Sequence, residues 1–170
     1  SSSVYGDHKD LPKKEGTIGT QLSPYAITKY VNELYANNFS KLFGIDTIGL
    51  RYFNVFGKRQ DPNGDYAAVI PKWVDAIINN KKIEVYGDGE TSRDFCYIEN
   101  VIEANFLASF NNVNSDSKIF NVAYGKRLSL NKLINTINEI VIKKTSQKKQ
   151  KLDITFKDFR QGDVKHSLAD

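Results

Sequence analysis

The chain has no methionine, one cysteine, one tryptophan, two histidines and only four prolines among its 170 residues. A lone Cys96, set in Phe95-Cys96-Tyr97-Ile98, excludes a disulfide framework. It reads instead as an inert buried thiol in a reducing compartment. His8 and His166 lie far apart with no Cys or His at ligand spacing, so no structural or catalytic metal is expected. The apolar runs fall well short of the roughly 20 residues a membrane helix needs. The start Ser1-Ser2-Ser3 lacks a charged-then-apolar leader pattern. A cytoplasmic protein with no membrane partner is expected. Internal repeats and low-complexity linkers are missing too.

What is present suits a packed domain: 40% of residues are hydrophobic and 12% aromatic, enough to bury a sizeable core. The formal charge is +4, and much of the excess sits in Lys143, Lys144, Lys148, Lys149 and Lys151. A solvated helix end explains that cluster. An interleaved aromatic stacking platform is lacking there, so no nucleic-acid partner is expected.

Apolar residues from Tyr25 to Phe43 recur at helical spacing, with Ser23 as N-cap, Pro24 in the first turn and Gly44 as the stop. The β-branched and aromatic run Asp46 to Asn54 predicts a buried strand after that helix. A polar loop from Lys58 to Asp65 leads to a helix over about Ala67 to Asn79 that carries Trp73. Strands are expected at Ile83–Tyr86, Arg93–Ile98, Ile119–Val122 and Ile154–Phe159. Gly87-Asp88-Gly89 forms a turn, and Asn111 to Asp116 is turn-rich. Helices are expected at Glu99–Phe110 and, capped by Ser129, to about Lys144. The alternation predicts an α/β fold.

Tyr25 and Lys29 stand i and i+4 near a helix start, so they share one face. A phenol is a poor base near neutrality, but a nearby ammonium favours the phenolate, which can then take a hydroxyl proton. The pattern alone is weak, since roughly one Tyr-x-x-x-Lys is expected by chance in such a chain. A second one stands at Tyr5 and Lys9, where Gly6-Asp7 signals a turn and no helix aligns the pair.

The ordered set Ser1-Ser2-Ser3-Val4-Tyr5-Gly6-Asp7, Ser23-Pro24-Tyr25-Ala26-Ile27-Thr28-Lys29 and Leu50-Arg51-Tyr52-Phe53-Asn54-Val55-Phe56-Gly57 carries more weight. It continues in Asp88-Gly89-Glu90-Thr91-Ser92-Arg93-Asp94-Phe95 and Arg160-Gln161-Gly162-Asp163-Val164. Together these resemble the extended short-chain dehydrogenase/reductase family, the NAD-dependent epimerases and dehydratases. The chain is most similar there to bacterial UDP-N-acetylglucosamine 4-epimerases of O-antigen and Vi-antigen polysaccharide biosynthesis.

The resemblance implies the C-terminal part of a Rossmann-like parallel sheet plus a smaller α/β substrate-binding domain. Residues 1–57 would end the first, and residues 58–170 would mainly form the second. Ser1 and Ser2 match catalytic hydroxyl positions, Ser1 bonding the substrate hydroxyl. Tyr25 matches the general base, and Lys29 the residue that holds the nicotinamide ribose and lowers the tyrosine pKa. Tyr52 and Phe53 match the nicotinamide wall. Substrate positions matched are Ser1, Ser2, Ser3, Asn54, Gln60, Ala68, Val69, Arg93, Arg160, Asp163 and Ser167. Two arginines can clamp a diphosphate with forked, charge-assisted bonds. Sugar dehydratases carry an acidic pair after the first hydroxyl, where this chain has Ser2 and Ser3. Epimerases restricted to plain UDP-hexoses place a tyrosine where Ser167 stands, so the serine leaves room for an N-acetyl group. The implied reaction passes a hydride from sugar C4 to NAD, turns the 4-keto sugar over and returns the hydride to its other face.

No Gly-rich strand-turn-helix for the NAD pyrophosphate is present, and Gly87-Asp88-Gly89 leads into a strand rather than a helix. The NAD-binding half and the C-terminal end are therefore expected to lie outside these residues. The piece alone is expected to be inactive and poorly soluble. The resemblance implies a homodimer in which the Tyr25 helix takes part. Alternatives are a UDP-N-acetylhexuronate or UDP-glucose epimerase, or a silent UDP-sugar-binding module.

Overall fold

The computed structural model describes residues 1–64, 67–110, 118–145, 152–160 and 162–170. The expected turn at Asn111–Asp116 and three lysines of the basic cluster, Lys148, Lys149 and Lys151, lie outside them. A 3-10 turn, Ser2–Tyr5, opens the chain. Gly6 follows it at φ 54, where a Cβ would lie 1.9 Å from the Thr20 carbonyl oxygen, so only glycine closes this loop.

Helix α1, Pro24–Phe43, forms as the sequence predicts. The Ser23 hydroxyl accepts from the Ala26 amide at 3.1 Å, Pro24 sits in the first turn, and Gly44 ends the helix at φ 65 in the left-handed region. Strand β1, Gly49–Tyr52, is shorter than the predicted run because Asn54 takes φ 31 and breaks it from β2, Val55–Phe56. Helix α2, Val69–Ile78, leads to β3, Ile83–Tyr86. The predicted Arg93–Ile98 strand is split at Phe95 into β4, Ser92–Asp94, and β5, Cys96–Tyr97, and Ile98 already belongs to α3, Ile98–Phe110. Then come β6, Ile119–Val122; β7, Arg127–Ser129; α4, Leu130–Thr145; and β8, Ile154–Lys157.

Strand β1 pairs with β6, β2 with β5 and β3 with β8, all in parallel, while β4 and β7 are antiparallel. The strands flanking Gly87-Asp88-Gly89 thus pair with distant partners and not with each other. Parallel pairing needs crossovers, and α2, α3 and α4 lie on them. One core joins α2, β3 and α4 through Trp73, Ile77, Ile83, Val85, Ile134 and Ile137. A second packs Val4 and Tyr5 on Phe53, and a third places Cys96 against Val101 and Val122. Cys96 is fully buried, and burial pushes its thiol pKa up, as expected of an inert thiol.

Helix α1 buries only Ala26 among its residues. Its aromatic ladder Tyr35, Phe39 and Phe43 lies exposed, as do Phe106 and Phe110 on α3.

Candidate active site

A cavity of about 790 Å³ opens between the 3-10 turn, the start of α1 and the C-terminal end of β1. Its wall brings together Ser1, Ser2, Ser3, Tyr25, Lys29, Tyr52 and Phe53 with Asn54, Arg93, Asp163 and Ser167. The serine turn is held by its own hydroxyls: Ser1 Oγ lies 3.0 Å from Ser3 Oγ and accepts from the Ser3 amide at 3.3 Å. The Tyr25 side chain is open, and Lys29 Nζ sits 5.2 Å from its ring centroid, as the i, i+4 spacing predicts. Phe53 is fully buried against the ring of Tyr5, and the Tyr52 hydroxyl donates to Asn105 Oδ1 on α3 at 2.9 Å.

The competing pair behaves differently. Tyr5 is buried, its hydroxyl donates to Asn121 Oδ1 at 2.7 Å, and burial pushes its phenol pKa up, away from base chemistry.

A second hollow of about 340 Å³ shares Asn54, Val55, Arg93 and Asp163 with the first. It adds Ala68, Val69 and Arg160. Ala68 provides no side-chain cap for α2, whose first turn runs Val69-Ile70-Pro71. Arg93 donates to Asp163 Oδ1 at 2.8 Å and to the Lys165 carbonyl at 3.1 Å. Burial weakens the hold of Arg93 on its proton, and Asp163 opposes that effect. The Arg160 guanidinium carbon lies over the ring of Tyr86, 3.8 Å from the centroid. Gln60 stands apart: it donates to the Val55 carbonyl at 3.4 Å and lines a separate hollow with Phe56 and Pro62.

Asn54 donates to the Asp94 carbonyl at 2.8 Å and to Ser167 Oγ at 3.2 Å, so these side chains fix one another. Asp94 has no assigned role in the sequence reading, yet its fully buried carboxylate accepts from Tyr124, Gly125 and Ala169 amides. Its signal is a carboxylate between Arg93 and the apolar run Phe95-Cys96-Tyr97-Ile98, which alone says nothing about partners. The platform residues Tyr86 and Trp73 in the second hollow also escaped the sequence reading. Gly87-Asp88-Gly89 is no phosphate cradle: the Gly89 carbonyl accepts from the Asn131 amide at 3.0 Å and Thr91 from Leu130 at 3.0 Å, filling the start of α4 with protein acceptors. Among the described residues no group of His, Cys, Asp and Glu could hold a metal, and no helix is long and apolar enough to cross a membrane.

A mainly parallel α/β frame, with a serine turn and a Tyr–Lys helix pair lining one cavity, is the arrangement that the short-chain dehydrogenase resemblance implies. A sequence model described as the NAD dependent epimerase/dehydratase family matches residues 1–123, and the chain belongs to that family. It is similar to the UDP-N-acetylglucosamine 4-epimerase of Methanobrevibacter ruminantium, solved with UDP-N-acetylmuramic acid: 44% identity, TM-score 0.84, covering 100% of this chain and 52% of that one. The UDP-glucuronic acid 4-epimerase of Bacillus cereus, solved with UDP-glucuronic acid and NAD, gives 28% identity and TM-score 0.86, covering 100% and 50%. The UDP-glucuronate 4-epimerase of Thermodesulfobacterium geofontis is 31% identical over 100% of this chain and 49% of its own length. The chain thus spans about half the length of such relatives. Its fold matches the C-terminal part of UDP-sugar epimerases, and NAD is the cofactor of the family.

Proposed function

We propose that the whole protein interconverts a UDP-N-acetylhexosamine with its 4-epimer, UDP-N-acetylglucosamine with UDP-N-acetylgalactosamine. The observation that carries this reading is the cavity in which Tyr25, Lys29 and the serine turn face Asn54, Arg93 and Ser167, with a cationic hollow beside it.

Tyr25 takes the proton of the sugar 4-hydroxyl, and Ser1 and Ser2 hold that hydroxyl in line. Lys29 stabilises the phenolate and anchors the cofactor's ribose, while Tyr52 and Phe53 wall the nicotinamide. These residues fit the nicotinamide end of NAD, because a phenol and an ammonium share one open cavity wall. When bound, NAD supplies the hydride acceptor and then the donor. Arg93 and Arg160, with the α2 start at Ala68 and Val69, clamp the diphosphate, and Asp163 accepts from the nucleoside. Ser167, buried in the cavity wall, leaves space for the acetamido group. The exposed faces of α1 and α3 support a homodimer.

A UDP-hexuronate substrate is the second reading, favoured by the likeness to glucuronate epimerases. Turnover by the full-length, NAD-loaded protein separates them. Conversion of UDP-N-acetylglucosamine, with UDP-glucose and UDP-glucuronate slower and Tyr25→Phe inert, supports the first. Preference for a uronate overturns it, and no turnover of any of them leaves the silent binding module.

A further inference from the structure

We propose that Arg51 is a positioning residue that keeps Glu33 from capturing Lys29, and so reserves the Lys29 ammonium for Tyr25. The proposal rests on the reading of Tyr25 as the base. Tyr25, Lys29 and Glu33 follow one another at i, i+4 and i+8, one stripe of α1, and Lys29 and Glu33 both face the cavity. A Lys and a Glu four residues apart on a helix attract each other. Here Glu33 has another partner: Arg51 Nε donates to Oε1 at 2.9 Å and Nη2 to Oε2 at 2.8 Å, a two-pronged pair with side-chain exposures of only 3% and 12%. Both carboxylate oxygens are engaged, and Lys29 leans over the Tyr25 ring instead.

The same guanidinium ties the site together. Nη1 donates to the Glu15 carbonyl at 3.0 Å, and the charge sits 4.8 Å over the ring of Tyr5, which belongs to the serine turn. Tyr5 in turn bonds Asn121, which lies opposite Arg51 in the β1–β6 register, and the Asn121 amide donates to Glu15 Oε1 at 2.7 Å. One side chain on β1 therefore fixes the serine turn and α1 with respect to Tyr52 and Phe53. Among the described residues, other ionisable side chains at the cavity have partners of their own. Arg93 is paired with Asp163, Lys13 donates to the His8 carbonyl, and the Tyr52 hydroxyl donates to Asn105. Glu33 is the charge whose engagement decides what Lys29 does.

The test is tyrosinate absorbance against pH in the full-length, NAD-loaded protein. The Tyr25 signal is taken as the difference from a Tyr25→Phe partner in each background. Arg51→Gln is expected to move that signal to higher pH by about one unit, the scale of losing one nearby ammonium. Glu33→Gln should leave it in place, and the double variant should restore it. A purely structural Arg51 would cut activity without moving the titration. If Arg51→Gln does not fold, Arg51→Lys, which keeps the charge but cannot fork, should move the signal by about half as much. No movement in either Arg51 variant overturns the proposal, as does a shift that Glu33→Gln fails to reverse. Because the readout needs no substrate, absent turnover by the wild type would remove the proposed reaction and leave this result standing.

Discussion

Replacing Asp94 by asparagine should be among the most damaging conservative changes in the chain. The carboxylate is fully buried, with Oδ1 accepting from the Tyr124 amide at 2.9 Å and Oδ2 from Gly125 and Ala169 at 3.1 and 3.2 Å. Asparagine has one carbonyl oxygen, which can turn to the Gly125 and Ala169 amides and leave its NH2 against the Tyr124 amide. At least one charge-assisted bond is lost, worth about 1.5–3 kcal/mol net. That is a sizeable part of the roughly 5–15 kcal/mol by which a domain is stable. Urea unfolding of the full-length protein measures it, and a loss under about 1 kcal/mol would refute the reasoning. The damage reaches the site as well, because Asn54 and Ser167 both bond the Asp94 backbone. A higher KM for the nucleotide sugar should accompany the lost stability.

Arg93→Lys removes a fork that serves Asp163 and the Ser92 and Lys165 carbonyls, so KM for the UDP-sugar should rise by about tenfold with a smaller change in kcat. Ser167→Tyr fills the cavity wall and should cost N-acetylated sugars at least about tenfold in kcat/KM relative to UDP-glucose; equal losses would refute the assignment. Gly89→Ala sets a Cβ 2.0 Å from Asn131 Oδ1 at φ 80, and thermal unfolding should show a loss of about 1–3 kcal/mol. His166 is held below the ordinary histidine range, first by burial and then by Arg127, Lys165 and Arg93. Its neutral form is the one the fold prefers, so its contribution is complete above about pH 6.5 and fades as pH falls. His166→Gln should flatten that acid limb of stability in urea titrations between pH 7 and 5.

The local signals proved sufficient for most elements. Ser23, Pro24 and Gly44 mark α1 because caps and stops act within one turn of the chain. The alternation of strands and helices gives the α/β class. The breaks at Asn54 and Phe95 were not legible, since a positive φ at an asparagine and a kink between β4 and β5 answer to packing partners far along the chain. The same holds for β3, whose partner β8 lies beyond four intervening strands.

By itself the sequence determined that Tyr25 and Lys29 share a helix face, because a helical repeat is a property of neighbouring residues. It also carried the motifs that identify the family. Only the tertiary structure decided that the serine turn, Asn54, Arg93, Asp163 and Ser167 meet Tyr25 around one cavity, that Gln60 does not, and that Tyr5 is a buried strut. It alone showed Glu33 given to Arg51, and Asp94 collecting amides from two distant loops. Such contacts join residues dozens of positions apart, and their partners are chosen by which side chains remain unpaired when the strands close, which no local pattern records.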